Sequence, residues 1–425
     1  MVSRFHESAR FRNLALLLIF SAALILRVCF VAATTPSLPD DTDSYRAIAS
    51  NILAGRGFSM DAATPSAYRP PGYPLFLAAC RIVADDPMVA IWVQCFLSAM
   101  VVLLAALVAQ SVVNELFSVI AAIIVAVDPF LIGVAGQFMT ETLFAFLTLA
   151  AFFLLLRAIR SNRLSRYIAA GLVAGTAALT RPEFLLFVPV ALLGVVVWGR
   201  RRRRYVATIL FLLAAVVPVG AWGVRNKSAI GKWIFTTTHG GYTHLLSYNE
   251  VFYGQVVAGH SSTWAASSLS EWQESLALET AGMDEMEKDR FYYQKAGEFV
   301  AGDRFGAAHV AAFGALRFWA PFPHSAPGPA RICMGAFFIG LLALAIGGTL
   351  VVWRRRPSAR LIVYLLVIET VVHMYYWSNV RMRIPFHPLL AVLAAAGVAV
   401  IFGRRSLIGE ALPIKEEESV YSPAV

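Results

Sequence analysis

The chain has 425 residues, of which 58% are apolar and only 15% charged. Soluble domains are about 45–50% apolar and about 25% charged, so the composition excludes a soluble globular protein and points to an all-α polytopic membrane protein. The formal charge of +10 does not build a nucleic-acid surface, because the arginines come in bursts between apolar runs, which is how membrane topology is encoded. Cys29, Cys80, Cys95 and Cys333 lie in or beside apolar segments at no metal-like spacing, so no disulfide framework is expected.

In chain order, Arg4, Arg10 and Arg12 lie in a basic tail (1–12) before a first apolar run at 13–33, which meets the roughly 20 residues a spanning helix needs. No small-residue cleavage site follows, so the run reads as a retained helix and not a signal peptide. Directly after it, "PDDTDSYRAIASNILAGRG" (39–57) sets Asp40, Asp41 and Asp43 at the head of a short amphipathic helix. Tyr45, Ile48, Ala49, Ile52 and Leu53 recur there at helical spacing, and Gly55 fits the stop. That helix is expected to lie on the membrane surface. Asp41 or Asp43 suits its N-cap, where the helix dipole favours a carboxylate. One cap needs one acid, and three are present. In "PSAYRPPGYPLFLAA" (65–79), Pro70 and Pro71 block helix and fix an extended turn. They hold Arg69 near the acids, as a snorkelled side chain or as a phosphate contact that guanidinium suits.

Further spanning stretches fall at 88–109, 117–135, 139–158, 205–223, 331–353, 360–377 and 385–403. Two shorter apolar segments, 167–180 and 183–199, hinge at "TRPEF", and counting both gives about ten passes. Basic clusters recur at Arg157, Arg160, Arg163 and Arg166, at "GRRRRR" (199–204), at "WRRRPSAR" (353–360) and at Arg404 and Arg405. By the positive-inside rule both termini are cytoplasmic, and residues 34–87 and 224–330 face outward. Trp198, Trp222, Trp353 and Trp377 fall at helix ends, as an aromatic belt would place them. Residues 404–425 read as a disordered cytoplasmic tail.

Several charges gather at the outer ends. Glu141, in "GQFMTETLF", opens the fourth helix on the same side as Asp41. Arg181, in "LTRPEF", sits at depth in the turn of the two short segments, where a charge needs a partner such as Glu183 or a lipid phosphate. Arg381 and Arg383, in "YYWSNVRMRIPFHP", place positive charge outside against the usual bias, which an anionic ligand or snorkelling would explain. In "TTTHGGYTHLLSYN" (236–249), Gly240 and Gly241 allow close backbone approach. His239 and Tyr242 there suit sugar hydroxyls, although a glycine turn is the commoner use of such a pattern. Glu369 and His373, four apart, are expected to pair on a buried helix face.

Taken together, "DTDSY", "YRPPGYPLF", "TETLF", "LTRPEF", "RNKSAIGKWIFTTTHGGY" and "RMRIPF" resemble, in order and membrane side, the GT-C superfamily of membrane glycosyltransferases that use polyprenyl-phosphate-linked sugars. The resemblance covers about residues 13–400 and is nearest the bacterial branch of protein O-mannosyltransferases and the lipid A aminoarabinose transferase. It implies a single membrane-embedded catalytic domain (13–403) in which Asp41 is the base, Glu141 the second carboxylate and Asp43 an accessory acid. Arg69 would contact the donor phosphate, helped by Arg181, Arg381 and Arg383, while Tyr45, Tyr68, His239 and Tyr242 line the substrate. A divalent cation held by Asp41 and Glu141 is a further implication. Two positions depart from the family: Thr42 follows Asp41 where several relatives have glutamate, and Tyr68 precedes Arg69 where the aminoarabinose transferase has an acid. The implied reaction transfers a sugar from a polyprenyl-phosphate donor to a cell-envelope glycan, lipid or protein, at the outer face of the inner membrane, with inversion at the anomeric carbon. The alternative is a transporter or lipid-linked sugar flippase. That class usually builds its site near the midplane from broken helices with internal repeats, whereas here the acids collect at one face beside long outer segments.

Overall fold

The computed structural model describes residues 2–34, 40, 41, 43–199, 203–259, 266–323, 326 and 328–402. Among them the regular structure is entirely helical. Helix α1 (Val2–Thr34) is followed by two short helices, α2 (Tyr45–Leu53) and α3 (Gly72–Val83), and then by α4 (Met88–Ala109), α5 (Glu115–Ala126), α6 (Pro129–Ala135) and α7 (Glu141–Ser161). Next come α8 (Leu164–Thr180), a 3-10 turn (Pro182–Leu186) running into α9 (Phe187–Trp198), and α10 (Arg204–Ile230). The long segment before the last helices folds into α11 (Gly240–Leu245), α12 (Glu250–Phe252), α13 (Ala266–Glu279), α14 (Glu285–Gly302) and α15 (Arg304–Phe318). Helices α16 (Gly328–Val352), α17 (Pro357–Tyr375), α18 (Val380–Arg383) and α19 (His387–Ile401) complete the chain. The tail 404–425, with Arg404 and Arg405, lies outside the described residues.

Among the described residues, seven helices are long and apolar enough to cross a membrane, or eight if α5 and α6 form one bent span. The expected count of about ten is not reached on length: Pro182–Trp198 is a shorter apolar helix, and α8 has 17 residues. Helix α8 instead packs between α7 and α10.

The stretch 117–135 is not one helix. It bends by 54° between α5 and α6 because Pro129 lacks an N–H and disfavours helical geometry at the residue before it. The freed backbone groups find partners inside the bundle. Arg27, fully buried, donates to the carbonyls of Val125 (3.1 Å) and Ala126 (3.0 Å) and to Ser98 Oγ (2.6 Å). Asp128 accepts from the N–H of Phe130 at 2.8 Å and bonds His387 Nδ1 at 2.8 Å. The "VDPF" signature of this break stands in the sequence, as does the lone arginine in the first apolar run.

Helices α16 and α19 touch through small residues. A Cβ on Gly348 would sit 2.0 Å from the Leu393 carbonyl oxygen, and one on Gly397 would sit 2.2 Å from that of Leu344. The 224–330 segment has a separate core that includes Leu245, Tyr248, Phe252, Val256, Tyr292 and Val310. Its acidic run forms α14, opened by a reciprocal capping box between Asp284 and Glu287.

Two expectations are corrected. Trp222 does not join a lipid-facing belt: it is buried, stacks edge-on to Phe58 at 4.8 Å and donates Nε1–H to the Thr236 carbonyl at 2.9 Å. Glu369 and His373 are both buried but are not hydrogen-bonded to each other. The His373 ring instead stacks on Phe318 at 4.7 Å.

Gly348→Ala and Gly397→Ala are each expected to lower stability by about 1–3 kcal/mol, the usual cost of overpacking. Gly347→Ala, whose Cβ meets nothing within 4 Å, should change it by less than about 0.5 kcal/mol. Unfolding of the purified variants in detergent checks the contrast.

Candidate active site

The first loop holds its acids in two different ways. Asp41 caps α2, accepting from the backbone N–H of Arg46 (3.0 Å) and Ala47 (2.9 Å). Ser44, in left-handed backbone geometry (φ 60), turns the chain back so that the helix start faces Asp41. Its own N–H donates to the Asp41 carbonyl at 3.0 Å. Asp43 points elsewhere and pairs with Arg69, Nη2 to Oδ1 at 2.7 Å. Asp40 is exposed. The Arg69 guanidinium lies 5.6 Å from the Tyr45 ring centre and 5.3 Å from that of Tyr68.

The helix bundle supplies a second charged cluster. Glu141, 1% exposed in the first turn of α7, meets Arg381 Nε at 3.1 Å and Arg181 Nη1 at 4.0 Å through Oε1. Arg181 also pairs with Glu183 at 2.5 Å, one of the two partners its sequence position suggests. Both arginines reach a sulfur: Arg181 donates to Met382 Sδ at 2.8 Å and Arg381 to Met139 Sδ at 3.2 Å. Glu141 Oε2 is buried with no hydrogen-bond partner among the described residues.

Tyr45 joins the two clusters. Burial pushes its hydroxyl up to about 12, while the charges of Arg69 and Arg181 pull it down and those of Asp43 and Glu141 raise it further. All four are therefore close enough to act on one phenol. Tyr73, stacked edge-on to Tyr45 at 5.0 Å, adds Asp41 to the group: burial raises its hydroxyl well above the ordinary range, and the charges of Glu141 and Asp41 add to the effect.

Arg383 is not part of this cluster. It is 1% exposed and donates Nη1 to the carbonyls of Phe318 and Ala320, both at 2.6 Å. Its guanidinium also lies 3.6 Å from the Phe338 ring centre. It ties the end of α15 to the start of α19.

Residues of the stretch from α10 to α14 close over the first loop. Glu285 Oε2 accepts from the Ala67 N–H (2.9 Å) and the Thr238 hydroxyl (3.1 Å), the Thr238 N–H donates to the Ala67 carbonyl at 3.0 Å, and the Thr237 hydroxyl donates to the Tyr68 carbonyl. Arg225 donates to the Ser66 and Phe58 carbonyls, each at 2.8 Å. These bonds lay residues 236–239 along 66–68 and set the His239 ring 4.4 Å from Tyr68 and 5.3 Å from Tyr242. An aromatic run therefore starts beside Arg69. Burial, with the Arg69 charge, pushes the His239 imidazole well below its ordinary value, so the ring is neutral at pH 7. The close backbone approach at Gly241 is made by α14: a Cβ there would sit 2.2 Å from the Asp289 carbonyl oxygen.

Glu285 and Arg225 escaped sequence reading. In sequence the first is an ordinary acid in a helical run and the second an ordinary arginine near a helix end, and only the tertiary contact gives them work. As for a divalent cation, both Asp41 oxygens face backbone donors and Glu141 Oε1 faces arginines. Among the described residues no three His, Cys, Asp or Glu side chains converge as a metal-ligand group, so the Asp41–Glu141 metal reading finds no matching donor set.

Glu141→Gln keeps the shape but removes the charge that Arg381 and Arg181 face. It is expected to lower stability by about 1–3 kcal/mol, the cost of leaving a buried polar partner unmatched. Unfolding in detergent, against Glu115→Gln at the exposed end of α5 as a control, reads the effect.

Comparison with known proteins follows the same lines. Residues 68–222 match the model of the family described as dolichyl-phosphate-mannose-protein mannosyltransferase. A comparison with curated protein sequences gives no match. Among solved structures, the oligosaccharyltransferase AglB from Archaeoglobus fulgidus, in complex with an inhibitory peptide and a dolichol-phosphate, aligns with a TM-score of 0.57 at 14% identity, covering 93% of this chain and 51% of that one. The same archaeal enzyme tethered to an acceptor peptide aligns at 0.57 and 15% identity, covering 93% and 50%. The chain thus spans about half the length of these relatives. ArnT from Cupriavidus metallidurans bound to undecaprenyl phosphate aligns with a TM-score of only 0.42 at 14% identity, covering 90% and 77%, and adds nothing to the fold assignment. Residues 68–222 are thus similar to the mannosyltransferase family's model, and the chain shares its helical fold with the matched half of the archaeal oligosaccharyltransferase.

Proposed function

We propose that the protein is an integral membrane glycosyltransferase that moves a sugar from a polyprenyl-phosphate donor to a hydroxyl of a cell-envelope glycan, lipid or protein. Both termini lie in the cytoplasm, and the site faces the outer side of the inner membrane. The observation that carries this reading is that Asp43, Arg69, Glu141 and Arg181 all act on the phenol of Tyr45, while Asp41 caps the helix that Tyr45 opens and Arg381 pairs with Glu141. The matched family is described by a dolichyl-phosphate-linked sugar, and the archaeal enzyme of the same fold binds a dolichol-phosphate and an acceptor peptide. Those ligands agree with a cationic and acidic site at the top of an apolar bundle.

In the proposed step, the acceptor oxygen forms a bond to the anomeric carbon as the bond from that carbon to the phosphate oxygen breaks. The electron pair leaves with the phosphate, and the acceptor proton passes to Asp41. A carboxylate oxygen of Asp41 that already accepts one N–H retains a second lone pair for the proton. Arg69 exchanges Asp43 for the phosphate, with Arg381 alongside, and these fixed cations stabilise the charge that grows on the leaving group. Glu141 positions Arg381 and Arg181. The aromatic run Tyr68, His239 and Tyr242 offers an apolar face to the sugar, and attack opposite the leaving phosphate inverts the anomeric centre.

Asp41→Asn tests the base. Asparagine keeps one of the two accepting oxygens, so the helix start should lose about 0.5–2 kcal/mol with the fold retained, while sugar transfer should fall by about 10²–10⁴-fold. Membranes bearing the variant, supplied with radiolabelled polyprenyl-phosphate sugars, provide the measurement, and undiminished label in the product would remove Asp41 from the mechanism. Arg69→Gln should instead weaken donor use, raising the donor concentration for half-maximal transfer by about tenfold or more, as expected for loss of a charge-assisted phosphate contact.

A further inference from the structure

Beside the first loop lies a cationic cavity that the proposed transfer does not use. It has a volume of about 90 Å³ between α2, α3, the start of α4 and the loop before α7, with a floor of Ala49, Leu77, Ala90 and Phe138. That is room for several water molecules or a single phosphate group. Arg46 and Arg81 line it. Arg46 follows Tyr45 directly, and successive side chains on a helix point about 100° apart. Tyr45 faces Arg69 while the Arg46 guanidinium lies over Phe138 at 4.9 Å. Arg81 donates to Ser50 Oγ at 2.7 Å and to the exposed Asp85 at 2.6 Å. Each arginine retains a buried Nε with no hydrogen-bond partner among the described residues.

Two guanidinium groups over an apolar floor, with one acid answering them from the rim, leave a net positive charge in a partly enclosed space. The helices that form the cavity also carry exposed apolar side chains: Ile82 and Val83 at the end of α3 are 75% and 82% exposed, and Trp92 and Phe96 in the first half of α4 are 40% and 47% exposed. A ligand that satisfies both features is amphipathic, with a phosphate at the arginines and hydrocarbon along α3 and α4. We infer that this cavity binds the headgroup phosphate of an anionic phospholipid of the surrounding bilayer. Bidentate guanidinium–phosphate bonds would supply the recognition, and the bound lipid would brace α2 against α3 and α4. Because Arg46 N–H also holds Asp41, a lipid seated here would steady the capped acid. Binding does not depend on sugar transfer, and a lipid-retention readout is independent of it.

The test is native mass spectrometry of the full chain in detergent, titrated separately with phosphatidylglycerol, phosphatidylcholine and inorganic phosphate. Wild type should retain phosphatidylglycerol about tenfold more tightly than phosphatidylcholine, with the preference falling as salt rises. Arg46→Gln with Arg81→Gln should erase that preference, and Arg46→Lys with Arg81→Lys should keep part of it. Equal retention of the two lipids by wild type would overturn the inference without any variant. An undiminished preference in the glutamine double variant would overturn it as well, as would inorganic phosphate displacing phosphatidylglycerol at equal concentration.

Discussion

A carboxylate sealed in the mouth of an apolar helix bundle has to be compensated, because taking an unpaired charge out of water costs several kcal/mol. Glu141 meets that condition with two arginines that lie far apart in the chain, Arg181 from the end of α8 and Arg381 from the start of α18. The compensation therefore organises more than one side chain. It brings three separate helix ends to one point, and Tyr45 of the first loop settles against that point. Removing the acid would leave two cations facing each other, with Glu183 still paired to Arg181. The remainder of the site is arranged around this central acid.

The same rule acts deeper in the bundle. The α5–α6 break exposes carbonyls and N–H groups where no water can reach them, and Arg27, Asp128 and His387 answer them. Because Arg383 Nε faces His387 Nε2 at 3.3 Å, that nitrogen is the acceptor and Nδ1 carries the proton toward Asp128. This chain of contacts runs from α1 to α19 and on to the α15 carbonyls. It couples the helix bundle to the end of α15 without using a group of the Glu141 cluster.

Much of this architecture was legible in advance. Apolar run length located most of the long helices, and the short amphipathic helix at 45–53, its aspartate cap and its glycine stop follow from spacing and elementary capping rules; Gly55 has φ +74. The pairing of Arg181 with Glu183 followed from the cost of an arginine at depth. The failures have physical causes. Arg381 and Arg383 are two residues apart and look alike in sequence, yet one turns to Glu141 and the other to backbone carbonyls, because α18 is a single turn whose successive side chains diverge. Trp222 has the position of an interfacial anchor but is covered by a loop that folds back over it. The roles of Glu285 and Arg225 depend on residues 66–68 and 236–239 meeting, a long-range contact with no local signature.

The residue between the acids and α2 has a consequence of its own. Ser44 folds the chain so tightly that Asp41, the turn and the first N–H groups of the helix form a closed unit within seven residues, 41–47. Among the described residues, the backbone N–H groups that hold the Asp41 carboxylate, those of Arg46 and Ala47, lie within that unit. Its attachment through Asp43 is a single bond to Arg69. An anion that took Arg69 away would release this cartridge from its latch while leaving the Asp41 carboxylate aimed as before.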